Sequence, residues 1–196
     1  MSKTQNTKTR QARRSAKLTA GSSQNPFAIL ADFPDLCFGG ALGIPAHEFI
    51  QFTSESGTLR INLDFATSRS PFQQTFLEKS LIEILPKYAN EVTDINLVMM
   101  FKISHMDVSN KNSTRHQVLT NVVKELNKFK DLNSLRFTIC IENYDFNQLK
   151  PASAIYGLKF TDWTFEVQER EKVTQIEIGS SLDRQLKALF RRGVDF

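Results

Sequence analysis

The side chains best suited to chemistry near neutral pH are three histidines, His47, His105 and His116. They fall in an entry segment, a loop and a helix start. No two of them have the spacing by which a local motif presents a pair of imidazoles to one metal ion, so each reads as a surface or capping residue. Cys37 and Cys140 are far apart and belong to no CxxC or Cys/His cluster, so a disulfide is not expected. Cys140 sits in a strand-like run and reads as a small buried hydrophobe. Asp64, Glu142 and Asp162 lie near strand ends, where open α/β sheets place ligands and where carboxylates can serve as acid and base. Acidic residues are also common where strands meet loops, and no nucleophile or second catalytic group accompanies these three. Phosphate-loop, dinucleotide, nucleophile-elbow, HExxH and EF-hand patterns are all absent. The expectation is a protein without cofactor or metal that is not an enzyme; an enzyme of unknown class ranks third among the readings.

Charge is the next signal, and it is unevenly placed. The chain has 196 residues and a formal net charge of +4. Residues 1–25 hold Lys3, Lys8, Arg10, Arg13, Arg14 and Lys17 and no acid, giving +6, whereas the remainder has 19 basic against 21 acidic residues. This tail is rich in Ser, Thr and Gln and nearly free of large apolar residues, so it cannot bury enough surface to offset the entropy of ordering. The sequence predicts a disordered basic tail whose first reading is solubilisation; the alternative makes Lys8, Arg10, Arg13, Arg14 and Lys17 a polyanion-binding or targeting element. No run reaches the 18 or so apolar residues of a membrane span, and the N-terminus lacks the apolar stretch of a secretory signal. The expected location is intracellular, cytoplasmic or nuclear, with mitochondrial import less favoured.

After Asn25 the character changes to "PFAILADFPDLCFGGALGIPAHEFIQF". Phe27, Ile29, Leu30, Phe33, Leu36 and Phe38 stand between Pro26, Pro34 and the Gly39-Gly40 pair, so residues 26–57 read as an apolar entry segment docked on the domain. "NPF" at 25–27 also matches a short peptide-ligand pattern for endocytic adaptor modules.

From residue 58 to the end the elements that must position any site become legible. "TLRINLDFA" (58–66) alternates as a half-buried strand, with Leu59, Ile61, Leu63 and Phe65 on one side and Arg60, Asn62 and Asp64 on the other. Ser70, Pro71 and Gln73 give the N-cap, first helical position and capping box of a helix. Its apolar stripe is Phe72, Phe76, Leu77, Leu81, Ile84, Leu85 and Tyr88. "INLVMMFKI" (95–103) is a second strand, followed by a polar loop, "SHMDVSNKNS", and a helix with Val118, Leu119, Val122, Val123, Leu126 and Phe129 inward. "SLRFTICIEN" (134–143) is a third strand. Pro151 argues against a long helix after it. "LKFTDWTFEV" (158–167) then forms a strand that turns through "QEREK" into "VTQIEI", and a final helix capped near Ser180 or Ser181 buries Leu182, Leu186, Leu189 and Phe190.

Strands alternating with helices predict an α/β domain with a largely parallel sheet and helices mainly on one face. "LNSLRFTIC" (132–140) fits the leucine-rich-repeat pattern, while "VTDINLVMM" (92–100) and "IYGLKFTDW" (155–163) keep its three apolar positions. Over residues 46–165 the chain resembles the irregular leucine-rich-repeat-like halves of many fungal F-box-type proteins, a likeness that implies a repeat-like arc. Residues 1–45 carry no F-box, so the ubiquitin-ligase adaptor role of such proteins is not carried over. The alternative architecture is a two-layer α/β sandwich with a mixed sheet.

If the strands stack in register, the first polar position of each forms a row of Arg60, Asn96, Arg136 and Lys159, with Asn62, Val98, Thr138 and Thr161 beside it. The face lacks the paired aromatics of an RNA-recognition motif. The leading expectation is therefore a non-enzymatic protein-protein interaction module whose open sheet face, carrying Arg60, Asn62, Asn96, Arg136, Thr138, Lys159 and Thr161, meets a protein partner, with an acidic segment as the candidate that its cations suggest. The alternative is a nucleic-acid-associated protein that relies on its basic tail.

Overall fold

The computed structural model describes residues 41–67, 69–100 and 108–193. Residues 1–25, residues 26–40 of the 26–57 entry segment, His105 and Cys37 lie outside them. Within the described residues the chain forms one six-stranded mixed sheet in the order β1-β2-β3-β4-β5-β6. The strands are β1 (Ile50–Thr53), β2 (Thr58–Asp64), β3 (Asp94–Met100), β4 (Ser134–Ile141), β5 (Trp163–Glu169) and β6 (Lys172–Gln175). The four middle strands run parallel, and β1 and β6 close the two edges antiparallel. The helices α1 (Pro71–Ile84), α2 (Val108–Leu126), the short α3 (Phe146–Leu149) and α4 (Ser181–Arg192) complete the fold.

Sequential parallel strands joined by right-handed crossovers force every crossover onto the same face of the sheet. The packing agrees. Leu59, Ile61 and Leu63 of β2, Ile95, Leu97 and Met99 of β3, Leu135, Phe137 and Ile139 of β4, and Phe165 and Val167 of β5 join one buried cluster. Leu81 and Ile84 of α1, Leu119, Val122 and Leu126 of α2, Leu149 of α3 and Leu186 of α4 belong to the same cluster. The intervening strand positions are absent from it, including Met100 and Cys140, which are buried in their own right. Period-two alternation therefore sorts the whole sheet into an apolar helix-covered side and a second side.

The local start signals act as the sequence implies. The Ser70 hydroxyl accepts from the Gln73 amide at 3.3 Å while Gln73 Oε1 accepts from the Ser70 amide at 3.1 Å, so the capping box of α1 is closed. Ser180 caps α4 by accepting from Asp183 N–H at 3.2 Å. Pro151 is accommodated because the chain from Lys150 to Gly157 winds as a 3₁₀ helix, which packs Ala152, Ala154 and Ile155 against α2. Helix α2 begins at Val108, inside the stretch expected to be loop, and its inward residues are those expected.

Three expectations need correction. The sequence pattern assigns Phe72 and Phe76 to the inward stripe of α1, yet they are 81% and 63% exposed. Nine residues separate Phe72 from Leu81, and at about 100° per residue that places them on opposite sides of the helix. Phe190 is also 41% exposed at the end of α4. In the third case the sequence gives no sign of a separate strand at β1: its four residues, two of them buried, merge with the apolar entry segment, and only the hairpin reveals them.

That hairpin turns at Gly57, which adopts a φ of +61°. The Gly57 carbonyl accepts from Thr93 N–H at 2.9 Å and from Asp94 N–H at 3.3 Å, tying the turn to the start of β3. A Cβ here would stand 2.7 Å from Thr93 Oγ1 in a conformation L-residues avoid. Gly57→Ala is expected to lower the unfolding free energy by about 1–3 kcal/mol, read from a urea midpoint at unchanged slope. Gly179→Ala serves as the control with the same left-handed strain and no clash, since nothing lies within 4 Å of its Cβ position.

Candidate interaction face

The second side of the sheet is assembled by register. Gln51, Arg60, Asn96, Arg136 and Thr164 stand directly abreast on five consecutive strands. The next row is Asn62, Val98, Thr138, Glu166 and Gln175, and the one beyond it is Asp64, Met100, Cys140 and Gln168. On the other flank of the arginine row lie Thr58, Asp94 and Ser134. Arg60, Asn96 and Arg136 are thus neighbours, as the sequence implies, and so are Asn62, Val98 and Thr138.

Lys159 and Thr161 are not part of these rows. They precede β5, which starts at Trp163, so Arg136 faces Thr164 and Thr138 faces Glu166. The reason is visible in the apolar phase. Leu158 and Phe160 are even-numbered, whereas Trp163, Phe165 and Val167 are odd, and no single strand presents both sets to one side. Of the three repeat-like segments, the first two fall in register, Ile95 beside Leu135, but Leu135 pairs with Trp163 instead of Leu158. The class is α/β with a mostly parallel sheet.

Removing Lys159 from the face and adding Glu166 changes its charge. Two cations, Arg60 and Arg136, share it with Asp64, Asp94 and Glu166, so among the described residues the row that the sequence makes basic through Arg60, Arg136 and Lys159 belongs to a face of mixed charge. Arg60 is held within the face by donating from Nε to Asn62 Oδ1 at 3.1 Å. Burial lowers its pKa and pushes the Cys140 thiol up to about 11, each partly offset by the other's charge. A thiol so raised stays protonated near neutral pH and is a poor nucleophile. Arg136 is more open, with its side chain 63% exposed and its Nε 3.7 Å from Glu166 Oε1. Glu166 Oε2 also accepts from the Thr138 hydroxyl at 3.4 Å. Recognition by hydrogen bonds and ion pairs, with Val98 as an apolar spot between them, is what this arrangement offers chemically.

The carboxylates considered as acid/base candidates do not converge. Asp64 terminates β2 and is consumed by the turn into α1: Oδ1 accepts from Ala66 N–H at 2.8 Å and Thr67 N–H at 3.1 Å, and Arg69 Nη1 approaches Oδ2 at 3.6 Å. Arg69 also pairs with Glu48. Glu142 follows β4 at the same end of the sheet, but Asp162 precedes β5 at the opposite end, its carbonyl accepting from Leu135 N–H at 3.2 Å. Among the described residues no group of three His, Cys, Asp or Glu side chains is placed to hold a metal ion, and no helix is long and apolar enough to cross a membrane. Basic residues Lys8, Arg10, Arg13, Arg14 and Lys17 lie outside the described residues. No family model, curated protein or solved structure matches the chain.

The sequence pattern does not place Gln51, Thr164 and Glu166 on this face, and it misjudges His47. That histidine is 7% exposed. Its Nδ1 accepts from Phe49 N–H at 3.0 Å, which leaves Nε2–H to serve Leu77 O at 3.1 Å and Ser80 Oγ at 3.0 Å on α1. Burial lowers its pKa, opposed by the Leu77 carbonyl and the Glu48 charge, and burial lowers that of His116 as well. Both imidazoles are neutral in the fold and gain protons on unfolding, so their contribution is complete above the ordinary value of 6.5 and is lost as pH falls toward the depressed folded values. The unfolding free energy should decline between pH 7 and pH 5, and His47→Gln should flatten that decline. An unchanged slope in the variant would show that His47 is not held neutral.

Proposed function

We propose that the chain is a non-enzymatic interaction module that receives a protein partner on the side of its sheet opposite the described helices. The observation that carries this reading is the in-register row Gln51, Arg60, Asn96, Arg136 and Thr164, on a side where none of the described helices packs. Such a row is a rigid array of donors and acceptors at about 4.8 Å spacing, fixed by the backbone ladder and needing no loop ordering when a partner arrives. Arg136 is its open cation, and an acidic side chain of the partner would take the place that Glu166 fills loosely. The resemblance to the repeat-like halves of fungal F-box-type proteins points in the same direction, toward a surface that holds another protein, with the leucine-rich-repeat arc as the finer form of the fold that this likeness implies.

A second reading rests on the segregation of six basic residues and no acid into residues 1–25. That tail is suited to neutralise nucleic-acid phosphates without reading sequence. The two readings respond to different changes. Arg136→Glu together with Thr138→Lys alters the face alone. The pair should strip co-purifying partners from the full chain while shifting stability by no more than about 0.5 kcal/mol, as surface substitutions usually do. An unaltered set of partners would refute the module reading. If the tail engages phosphates, affinity for generic duplex DNA should fall steeply with salt. Removing residues 1–25 should then reduce the log–log slope by roughly 0.9 for each phosphate that the tail neutralises. Absence of binding at low salt would refute that second reading.

A further inference from the structure

The helix layer carries an apolar feature that neither the core nor the sheet face explains. Phe72 and Phe76 stand one turn apart on α1, 81% and 63% exposed, on the side away from the buried Leu81. With Ser80 they form a line at i, i+4 and i+8. At the Ser80 end of that line the entering chain is fixed, because His47 Nε2 sits 3.0 Å from Ser80 Oγ and 3.1 Å from Leu77 O, and Ile44 is already part of the core. Just before it, Leu42 and Gly43 take φ values of 65° and 71°. Two consecutive left-handed residues turn the chain sharply there, and Leu42 is itself 53% exposed.

We propose that residues 27–38, "FAILADFPDLCF", occupy this face of α1, laying their apolar side chains over Phe72 and Phe76. Six of those twelve residues are large and apolar, a density that water disfavours and that a matching pair of exposed rings satisfies. The reach is sufficient. Phe76 and Phe72 lie about 6 and 12 Å along the helix axis from Ser80 at about 1.5 Å per residue. Phe38 is nine residues before His47, a tether that spans up to about 30 Å when extended. Charge is complementary as well: Asp32 and Asp35 give the segment a net negative charge with no Lys or Arg to offset it, and the exposed Lys79 stands three residues beyond Phe76 on α1. Covalent attachment makes the contact intramolecular, with an effective concentration in the millimolar range, which favours this occupant over a second copy of the chain or a free partner.

The full chain tests this directly. Phe33 is replaced by the photo-crosslinking analogue p-benzoylphenylalanine, and an equal mixture of light and uniformly ¹⁵N-labelled protein is irradiated and mapped by mass spectrometry. The expected adduct joins residue 33 to the 72–79 stretch of α1 within chains of one isotope. Adducts of mixed isotope would give the face to a second copy, and adducts mapping elsewhere would give the segment another site; either result overturns the proposal. A second measurement leaves the segment unaltered. In Phe72→Ser/Phe76→Ser, amide exchange across residues 27–38 should accelerate by at least about tenfold while β2, β3 and β4 keep their protection. Exchange in that segment equal to the parent protein's would overturn it too.

Discussion

Everything in this fold follows from the requirement that Leu59, Ile61 and Leu63 share one buried side with Ile95, Leu97 and Met99 and with Leu135, Phe137 and Ile139. The side-chain period of a strand is two, so a slip of one residue would turn an entire buried set toward solvent. Burial of a leucine-sized side chain stabilises by about 1.5–3 kcal/mol, and a strand that exposed three at once would forfeit most of a typical domain's stability. Register is therefore fixed by the core, and the opposite face inherits its arrangement. Arg60, Asn96 and Arg136 are abreast because their neighbours are buried abreast.

The turns and caps serve the same constraint. Gly57 fixes where β2 begins relative to β3 through its carbonyl, and Asp64 fixes how β2 hands over to α1. His47 holds the β1 side against the Leu77–Ser80 turn of α1. At the far end, Asp183 is buried yet kept below the usual carboxylate range. Burial alone would raise its pKa, but hydrogen bonds from Gly179 N–H, Lys187 and the Tyr156 hydroxyl outweigh that. Asp64 and His47, which look eligible for chemistry in the sequence, are thus spent on joining elements.

Much of this is legible in the sequence. Alternation in "TLRINLDFA" and "SLRFTICIEN" identifies two strands and the sides of both, and the apolar positions of "INLVMMF" align the strand between them. The Ser-Pro-x-Gln start of α1 needs only local chemistry, and its capping box closes. What escapes depends on competition between distant parts of the chain. "LKFTDWTFEV" contains two apolar phases, and only pairing with β4 selects Trp163, Phe165 and Val167 over Leu158 and Phe160. That choice removes Lys159 and Thr161 from the face and brings in Glu166, turning a basic row into one of mixed charge. β1 escapes because its four residues merge with the apolar entry segment until β2 supplies a partner. Phe72 and Phe76 suggest core because they are aromatic residues at helical spacing, whereas their angle along α1 sets them opposite Leu81.

The proposed protein partner meets the side of the sheet bearing Arg136 and Thr138, and not the helix layer. Photo-crosslinking residues placed singly at Thr138, at Thr164 on the neighbouring strand, and at Lys124 on the exposed surface of α2 compare the two sides within one chain. After irradiation in the native cell, a common protein adduct is expected at 138 and 164 and none at 124. An adduct at 124 alone, or equal capture at all three, would contradict that assignment.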